Sequence, residues 1–278
     1  MSWGAGNMAD ALATHWMRAG HDVVVGGRDV GKAERLAARI GGGVRATGLR
    51  EAAESAEVVL AALPFGAGAE VARELREELD GRVVIDCSNP VGPGFRLLTG
   101  GGPSAAQLLA AAAPGARVVK AFNLCHEDVW RMRPPAFDGR PLAVPVCGDD
   151  ADAVARVDAL VRDAGCEPVV GGGLDRAGLL EATAALFIGL WVGGRGGRAG
   201  DRAAPGLRDR TGTLVPVSAG VRVSSDVDHV QDTAEVVIAA LQRRRSCSSE
   251  TCPWCRTSAA RACAAASRCC SARRPGRW

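Results

Sequence analysis

The sequence predicts an α/β fold: a doubly wound, mostly parallel sheet followed by a C-terminal helical segment and a disordered tail. Three observations carry that expectation. Short apolar runs alternate with helical segments from residue 7 to residue 192, the order of elements that gives a parallel sheet with helices on both faces. The runs are continuously apolar rather than alternating, as strands are when both faces of their sheet are covered. The first helix, moreover, is led by Gly4-Ala5-Gly6-Asn7-Met8-Ala9, a G-x-G-x-x-A spacing that sets a tight turn at a helix start.

Residues 7–19 place Met8, Ala11, Leu12, Trp16 and Ala19 on one face and stop at Gly20, which predicts a helix closed by glycine. His21-Asp22 leads into the strand Val23-Val24-Val25, and a helix over 30–40 ends at Gly41-Gly42-Gly43. The run 57–63 is a strand that Pro64 breaks, 67–79 a helix ending before Gly81, and 82–86 another strand. A Gly- and Pro-rich loop over 88–103 precedes a helix over 104–113. Strands follow at 117–122 and 142–146, then a helix at 151–164 and a last strand at 168–170. Helix 175–192 is apolar almost all round, with Leu179, Leu180, Leu186, Phe187 and Leu190. It needs a further apolar surface to pack on, and a second copy of the chain, in a homodimer, is the candidate. Beyond it, 193–206 reads as a Gly/Arg linker, 214–223 as a strand and 227–241 as a helix.

Composition narrows the class. The 278 residues are 47% apolar and 23% charged, ordinary for a globular protein with a sizeable core. No run reaches the roughly 18 apolar residues of a membrane span, and no basic region followed by an apolar run marks a signal peptide; the expected location is the cytoplasm. The net charge of +3 is unevenly spread, because residues 244–278 hold eight Arg and one Glu, leaving a net of −4 on residues 1–243. An acidic body argues against a nucleic-acid surface. Cys87, Cys125, Cys147 and Cys166 are scattered through the body and read as reduced core thiols. Six more cysteines crowd the tail, but Cys252 and Cys255 form its one C-x-x-C, and a zinc site usually pairs two such knuckles. No metal site is expected. The Arg/Ala/Ser/Cys tail over 244–278 has too few aliphatics to offset its ordering entropy and is expected to be disordered. Its composition also fits a reading-frame shift in a GC-rich gene. The chain has no tyrosine, which excludes the tyrosine acid of short-chain dehydrogenases.

The glycine loop points to a dinucleotide. Its first Gly makes the turn, its second lets backbone N–H groups approach phosphate, and the small third residue brings helix and strand together. The helix N-terminus behind it favours anions. NAD enzymes of this Rossmann-type architecture carry an acid at the end of the second strand. Here stand Gly26-Gly27-Arg28, with Lys32 one helical turn later. An acid would repel a 2′-phosphate, whereas Arg28 can pair with it and stack on adenine, and Lys32 adds a second charge. NADP(H) is the expected cofactor.

The stretches GAGNMADALA, VVVGGRDVGK, SAAQLLAAAAPGARVVKAFN, VPVCGDDADA and GGGLDRAGLLEATAALF occur in that order. Together they resemble the NADPH-dependent coenzyme F420 reductases, over residues 3 to about 193. The resemblance implies an oxidoreductase that moves a hydride between NADP(H) and a deazaflavin, coenzyme F420, as small-molecule redox partner. It makes 1–193 the NADP-binding reductase domain, 194–243 a divergent extension and 244–278 the tail. It places Gly4, Ala5, Gly6, Asn7 and Met8 at the pyrophosphate turn, and Gly27, Arg28 and Lys32 at the 2′-phosphate, although the family often has Ser or Thr where Gly27 stands. It also sets Leu63 and Pro64 beside the adenosine and Ala121 at the nicotinamide carboxamide, and makes 147–150 a structural turn.

Hydride transfer between two stacked cofactors needs proximity and orientation more than acid–base groups, which agrees with the lack of a catalytic dyad; no catalytic residue is assigned. Lys120 and His126 lie near the expected site and would be the general-acid candidates for a carbonyl or imine substrate. The simpler reading makes them a strand-end lysine and a helix-start histidine. Asp86, Asn89 and Pro90 are expected to shape the loop after their strand. Two further readings stand beside the deazaflavin one: an NADPH-dependent reductase of a small carbonyl or imine, and a non-catalytic NADP-binding redox sensor or degenerate copy. Met1-Ser2-Trp3 spans only about 10 Å, too little for a central strand. The expectation is that the first strand lies upstream of this start or has been lost.

Overall fold

The computed structural model describes residues 5–193, 207–208, 214–215 and 237–242. The first helix, α1 (Ala5–Arg18), leads to β1 (Asp22–Gly27), α2 (Val30–Ile40), β2 (Arg45–Gly48), α3 (Leu49–Ser55) and β3 (Val58–Ala62). Then come α4 (Ala67–Glu74), β4 (Val83–Asp86), α5 (Ala105–Ala112), β5 (Arg117–Lys120) and the single turn α6 (Glu127–Trp130). A two-residue hairpin, β6 (Ala136–Phe137) with β7 (Arg140–Pro141), precedes β8 (Ala143–Gly148), α7 (Ala151–Asp163), β9 (Glu167–Gly172) and α8 (Ala177–Gly193). The short strands β10 (Leu207–Arg208) and β11 (Leu214–Val215) pair with each other, and β12 (Val237–Gln242) closes the series.

Local chemistry sets several boundaries. Asp29 caps α2 by accepting from the Lys32 backbone N–H, and the helix stops at Gly41 with φ 75°. Ser104 and Gln107 close α5 with a reciprocal capping box. Asp150 caps α7 by accepting from Ala153 N.

One eight-stranded sheet runs in the order β2-β1-β12-β3-β4-β5-β8-β9. Strands β1 and β2 are parallel, as are β3, β4 and β5. β8 turns antiparallel to β5 and carries the parallel β9 at the edge. Side chains alternate between two cores. Val23, Val25, Leu60, Ile85 and Val119 face one layer with Leu12, Trp16 and Leu36. Val24, Val59, Val84 and Val118 face the other with Leu49, Leu75 and Leu109. Double coverage is why these strands are apolar throughout.

Two expectations need correction. The helix expected over 227–241 is not formed in its described part, because Val237–Gln242 is a strand. The segment 194–243, expected as an extension, supplies a central strand of the core sheet. β12 lies between β1 and β3 and antiparallel to both, with Val237 opposite Gly27 on one side and Ala62 on the other. Leu241, 2% exposed, joins the core under α1 and α2. The expected strand over 214–223 is described only at Leu214–Val215. The disorder expected for 244–278 and the tail cysteines lie outside the described residues.

Candidate functional site at the strand ends

The residues singled out by sequence gather along the edge where β1, β3, β4 and β5 end. Ligands in open α/β sheets bind in the crevice at this edge. Gly4 lies outside the described residues. Ala5, Gly6, Asn7 and Met8 form the first turn of α1, whose leading backbone N–H groups have no partner within the helix. Asn7 donates through Nδ2 to Glu127 Oε1 at 3.2 Å, tying this turn to α6.

At the end of β1, Gly27 is closely packed, and a side chain there would make its neighbours give by a few tenths of an ångström. A Cβ there would stand 3.0 Å from Asp29 O and 3.2 Å from the Ala33 Cβ. That crowding gives a physical reason for glycine at this position. Arg28 is exposed, and its Nη2 donates to Glu74 Oε1 at 2.9 Å and Glu70 Oε1 at 3.2 Å, both on α4. Hydrogen bonding to Glu74, opposed by slight desolvation and aided by Glu70, raises its pKa further. The Lys32 ammonium makes no hydrogen bond or ion pair among the described residues. Leu63 and Pro64 follow β3 and line a small cleft of about 70 Å³ with Gly66, Asp86, Ser88 and Leu108.

The loop after β5 is held under strain. Phe122 adopts φ 63°, a conformation that a bulky residue keeps only when its surroundings enforce it. Its ring meets Trp16 of α1 and Trp130 of α6 edge-on, with centroids 5.8 and 5.4 Å apart. Ala121 beside it is fully buried, and its N–H donates to Asp86 O at 3.2 Å. Asn123 donates to Asn89 Oδ1 at 2.9 Å while Asn89 donates to Asn123 O at 2.7 Å, interlocking the loops after β4 and β5.

Behind these loops lies a buried ionic triad. Lys120 is 0% exposed and donates to Asp86 Oδ2 at 2.7 Å, Ser88 O at 2.6 Å and Glu181 Oε1 at 2.8 Å. An ammonium has three protons, and all three are engaged. Burial works against the charge, but Asp86 and Glu181 outweigh it and hold the Lys120 pKa above its ordinary value. Glu181 also accepts from Ala105 N at 3.0 Å and Ala106 N at 3.4 Å, so the second carboxylate sits on the positive end of α5. This lysine is a locked structural cation. His126 caps α6, its Nδ1 accepting from Asp128 N at 3.3 Å, with Glu127 and Asp128 carboxylates beside it. Cys87 is buried too, and desolvation pushes its thiol up to about 12, which leaves it unionised.

Asn123, Glu127 and Glu181 escaped the sequence reading. For Glu181 a signal existed: it is the only charged residue of an otherwise apolar helix, and a lone buried acid needs a partner.

Comparison with known proteins gives matches of the same character. Residues 3–90 match the family described as NADP oxidoreductase, coenzyme F420-dependent. The F420-dependent NADP reductase of Methanocaldococcus jannaschii is 26% identical over 203 residues, covering 67% of this chain and 89% of the relative. The metalloreductase STEAP3 of Rattus norvegicus is 32% identical over 188 residues and 68% of the chain, yet the chain spans only 36% of its length. Among solved structures, a putative F420-dependent NADP-reductase from Arthrobacter sp. FB24 superposes with TM-score 0.57 at 24% identity, covering 69% of this chain and 92% of that one. This last likeness bears on the fold.

Proposed function

The chain belongs to the coenzyme F420-dependent NADP oxidoreductase family, and on that premise we propose that it exchanges a hydride between NADP(H) and a deazaflavin, coenzyme F420. The observation that carries this reading is the convergence on one strand-end edge of the α1 N-terminus, the Arg28/Lys32 pair and the loops after β3 and β5. The chain is an oxidoreductase, and the dinucleotide supplies the hydride chemistry when bound.

The chain's own residues orient and exclude. The first turn of α1 offers N–H groups to a pyrophosphate. Lys32 is a cation without a partner among the described residues, and Arg28 can turn from Glu70 and Glu74 to a 2′-phosphate, because exposed ion pairs of this kind hold weakly. Leu63 and Pro64 present an apolar wall to the adenosine. Ala121, fully buried and fixed by its bond to Asp86 O, anchors the start of the loop that would meet the nicotinamide and contributes no side chain to the chemistry. With Lys120 fully engaged and His126 serving as a helix cap, the site supplies position rather than an acid, which suits transfer between two stacked rings.

Mixing the protein with NADPH and oxidised deazaflavin, and following both absorbance bands, tests the proposal. Loss of both bands at matched rates is expected. Turnover of a small carbonyl or imine but not of the deazaflavin would move the assignment to that substrate class, and cofactor binding without any turnover would make the chain a sensor. Arg28→Ala is expected to raise KM for NADPH about tenfold, equivalent to about 1.4 kcal/mol, with little change for NADH. Equal effects on both would remove Arg28 from the phosphate site.

We propose in addition that a second copy of the chain covers α8. Leu179, Leu186 and Leu190 lie along one face of that helix and are 58%, 60% and 51% exposed. Sedimentation of the wild type and of Leu186→Glu tests this: a dimer that becomes a monomer is expected, and a monomeric wild type would refute it.

A further inference from the structure

Along α1 beyond its first turn, Arg18 in the last turn of that helix, Arg39 in the last turn of α2, and Arg131 and Arg133 after α6 line a cleft of about 210 Å³. Asp10, Thr14 and His15 complete its polar lining. The cleft begins at Asp10, about one turn past the α1 turn proposed for the pyrophosphate, but Arg18 at its far end lies thirteen residues from Ala5, roughly 20 Å at 1.5 Å per residue. A phosphate held by Arg18 is out of reach of that first turn.

Asp10, 4% exposed, organises the cleft. Its Oδ2 accepts from Arg131 Nη1 at 2.7 Å and lies 3.2 Å from Arg39 Nε. One carboxylate thus fixes two guanidinium groups. Arg18 and Arg133 make no hydrogen bond or ion pair among the described residues, so their donor forks stay available. Nε2 of His15 lies 2.6 Å from Trp130 O; a carbonyl only accepts, so this nitrogen carries the proton and Nδ1 holds a lone pair. Burial foremost, then the charges of Arg133 and Arg18, lower the His15 pKa against the opposing pull of Trp130 O.

We propose that this cleft is a binding site for a small oxyanion of the phosphate class, separate from the dinucleotide site. Four arginines line the cleft against one buried carboxylate, which pairs with Arg39 and Arg131; the guanidinium groups of Arg18 and Arg133 are of the planar kind that matches phosphate oxygens. The excess of positive charge is held in place at the cost of mutual repulsion, which a bound dianion relieves. The same anion reverses the field at His15, so occupation draws a proton onto Nδ1.

Titration with inorganic phosphate and with glycerol phosphate, at constant ionic strength set by chloride, tests the proposal. Binding is read by calorimetry and by the NMR titration of the His15 ring. Both ligands are expected to bind, and the midpoint of His15 is expected to move to higher pH when either is present. Arg18→Gln/Arg133→Gln is expected to weaken binding at least tenfold and abolish the His15 response, whereas Arg76→Gln, far from the cleft, changes neither. Tighter binding of the ester would make a phosphorylated small molecule the ligand; tighter binding of phosphate would make it the free ion. An unchanged affinity in the double variant, or a wild-type His15 titration indifferent to phosphate, would overturn the proposal even if the variant folded poorly.

Discussion

Strands β3, β4 and β5 and the neighbouring set β1–β12–β3 are made of similar short apolar segments, yet the two regions are assembled differently. In the first, each strand joins the next through a helix and all run the same way. In the second, a strand from far along the chain enters between β1 and β3 in the reverse direction. The covered slot in the middle of a sheet selects for apolar side chains of strand length and accepts either polarity, since both satisfy the backbone groups of the flanking strands. The parallel block carries something the slot lacks: a buried ionic triad that spans β4, β5 and α8.

The largest expected effect breaks the slot. Leu241→Asp would bury an unpaired carboxylate between Val23 and Val58, its partners on the flanking strands, costing upwards of about 4 kcal/mol, much of the stability of an ordinary domain. Urea unfolding followed by circular dichroism should show the loss, and a wild-type midpoint would mean that β12 does not occupy the slot. Next comes the triad. Lys120→Met leaves two facing carboxylates without their cation, and a loss of about 3–5 kcal/mol is expected; Glu181→Gln keeps the shape and should cost less. The triad also has a pH signature. Because the folded pKa of Lys120 is raised, its stabilisation is complete below the unfolded value of about 10.4 and is lost as pH rises through the folded value. Stability should therefore fall with pH above about 10.4, and Lys120→Met should lack that component. The smallest effect is at the surface: Arg28→Ala removes two exposed ion pairs and should change stability by no more than about 0.5 kcal/mol, whatever it does to KM.

Most of the parallel block was legible because its strands are short apolar runs bounded by Gly or Pro, as at 58–62 before Pro64 and 83–86 after Gly81. The run Val237–Gln242 was misread for a physical reason. Ala239, Ala240, Leu241 and Gln242 favour helix, and an apolar run of six residues has no period that separates helix from buried strand. The vacancy between β1 and β3 decides it, and that is a property of the tertiary fold. Arg45–Gly48 and Leu49–Ser55 were passed over because Arg45, Thr47 and Gly48 make a polar edge strand with no apolar run. At the site, Arg28 and Lys32 were legible from charge at a strand end. The partners of Lys120 were not, because Glu181 reaches it only through the packing of α8.

The position of β12 also bears on how the protein is made. On a ribosome, β1 and β3 emerge early, but the strand that satisfies both of their inner edges is completed only at Gln242. At 5–20 residues per second, the interval after β3 is about 10–40 s. For that time the nascent chain carries two apolar strands with open edges at its centre. The sheet therefore closes late, from its middle, and a chaperone that covers those edges during synthesis would raise the yield of folded protein.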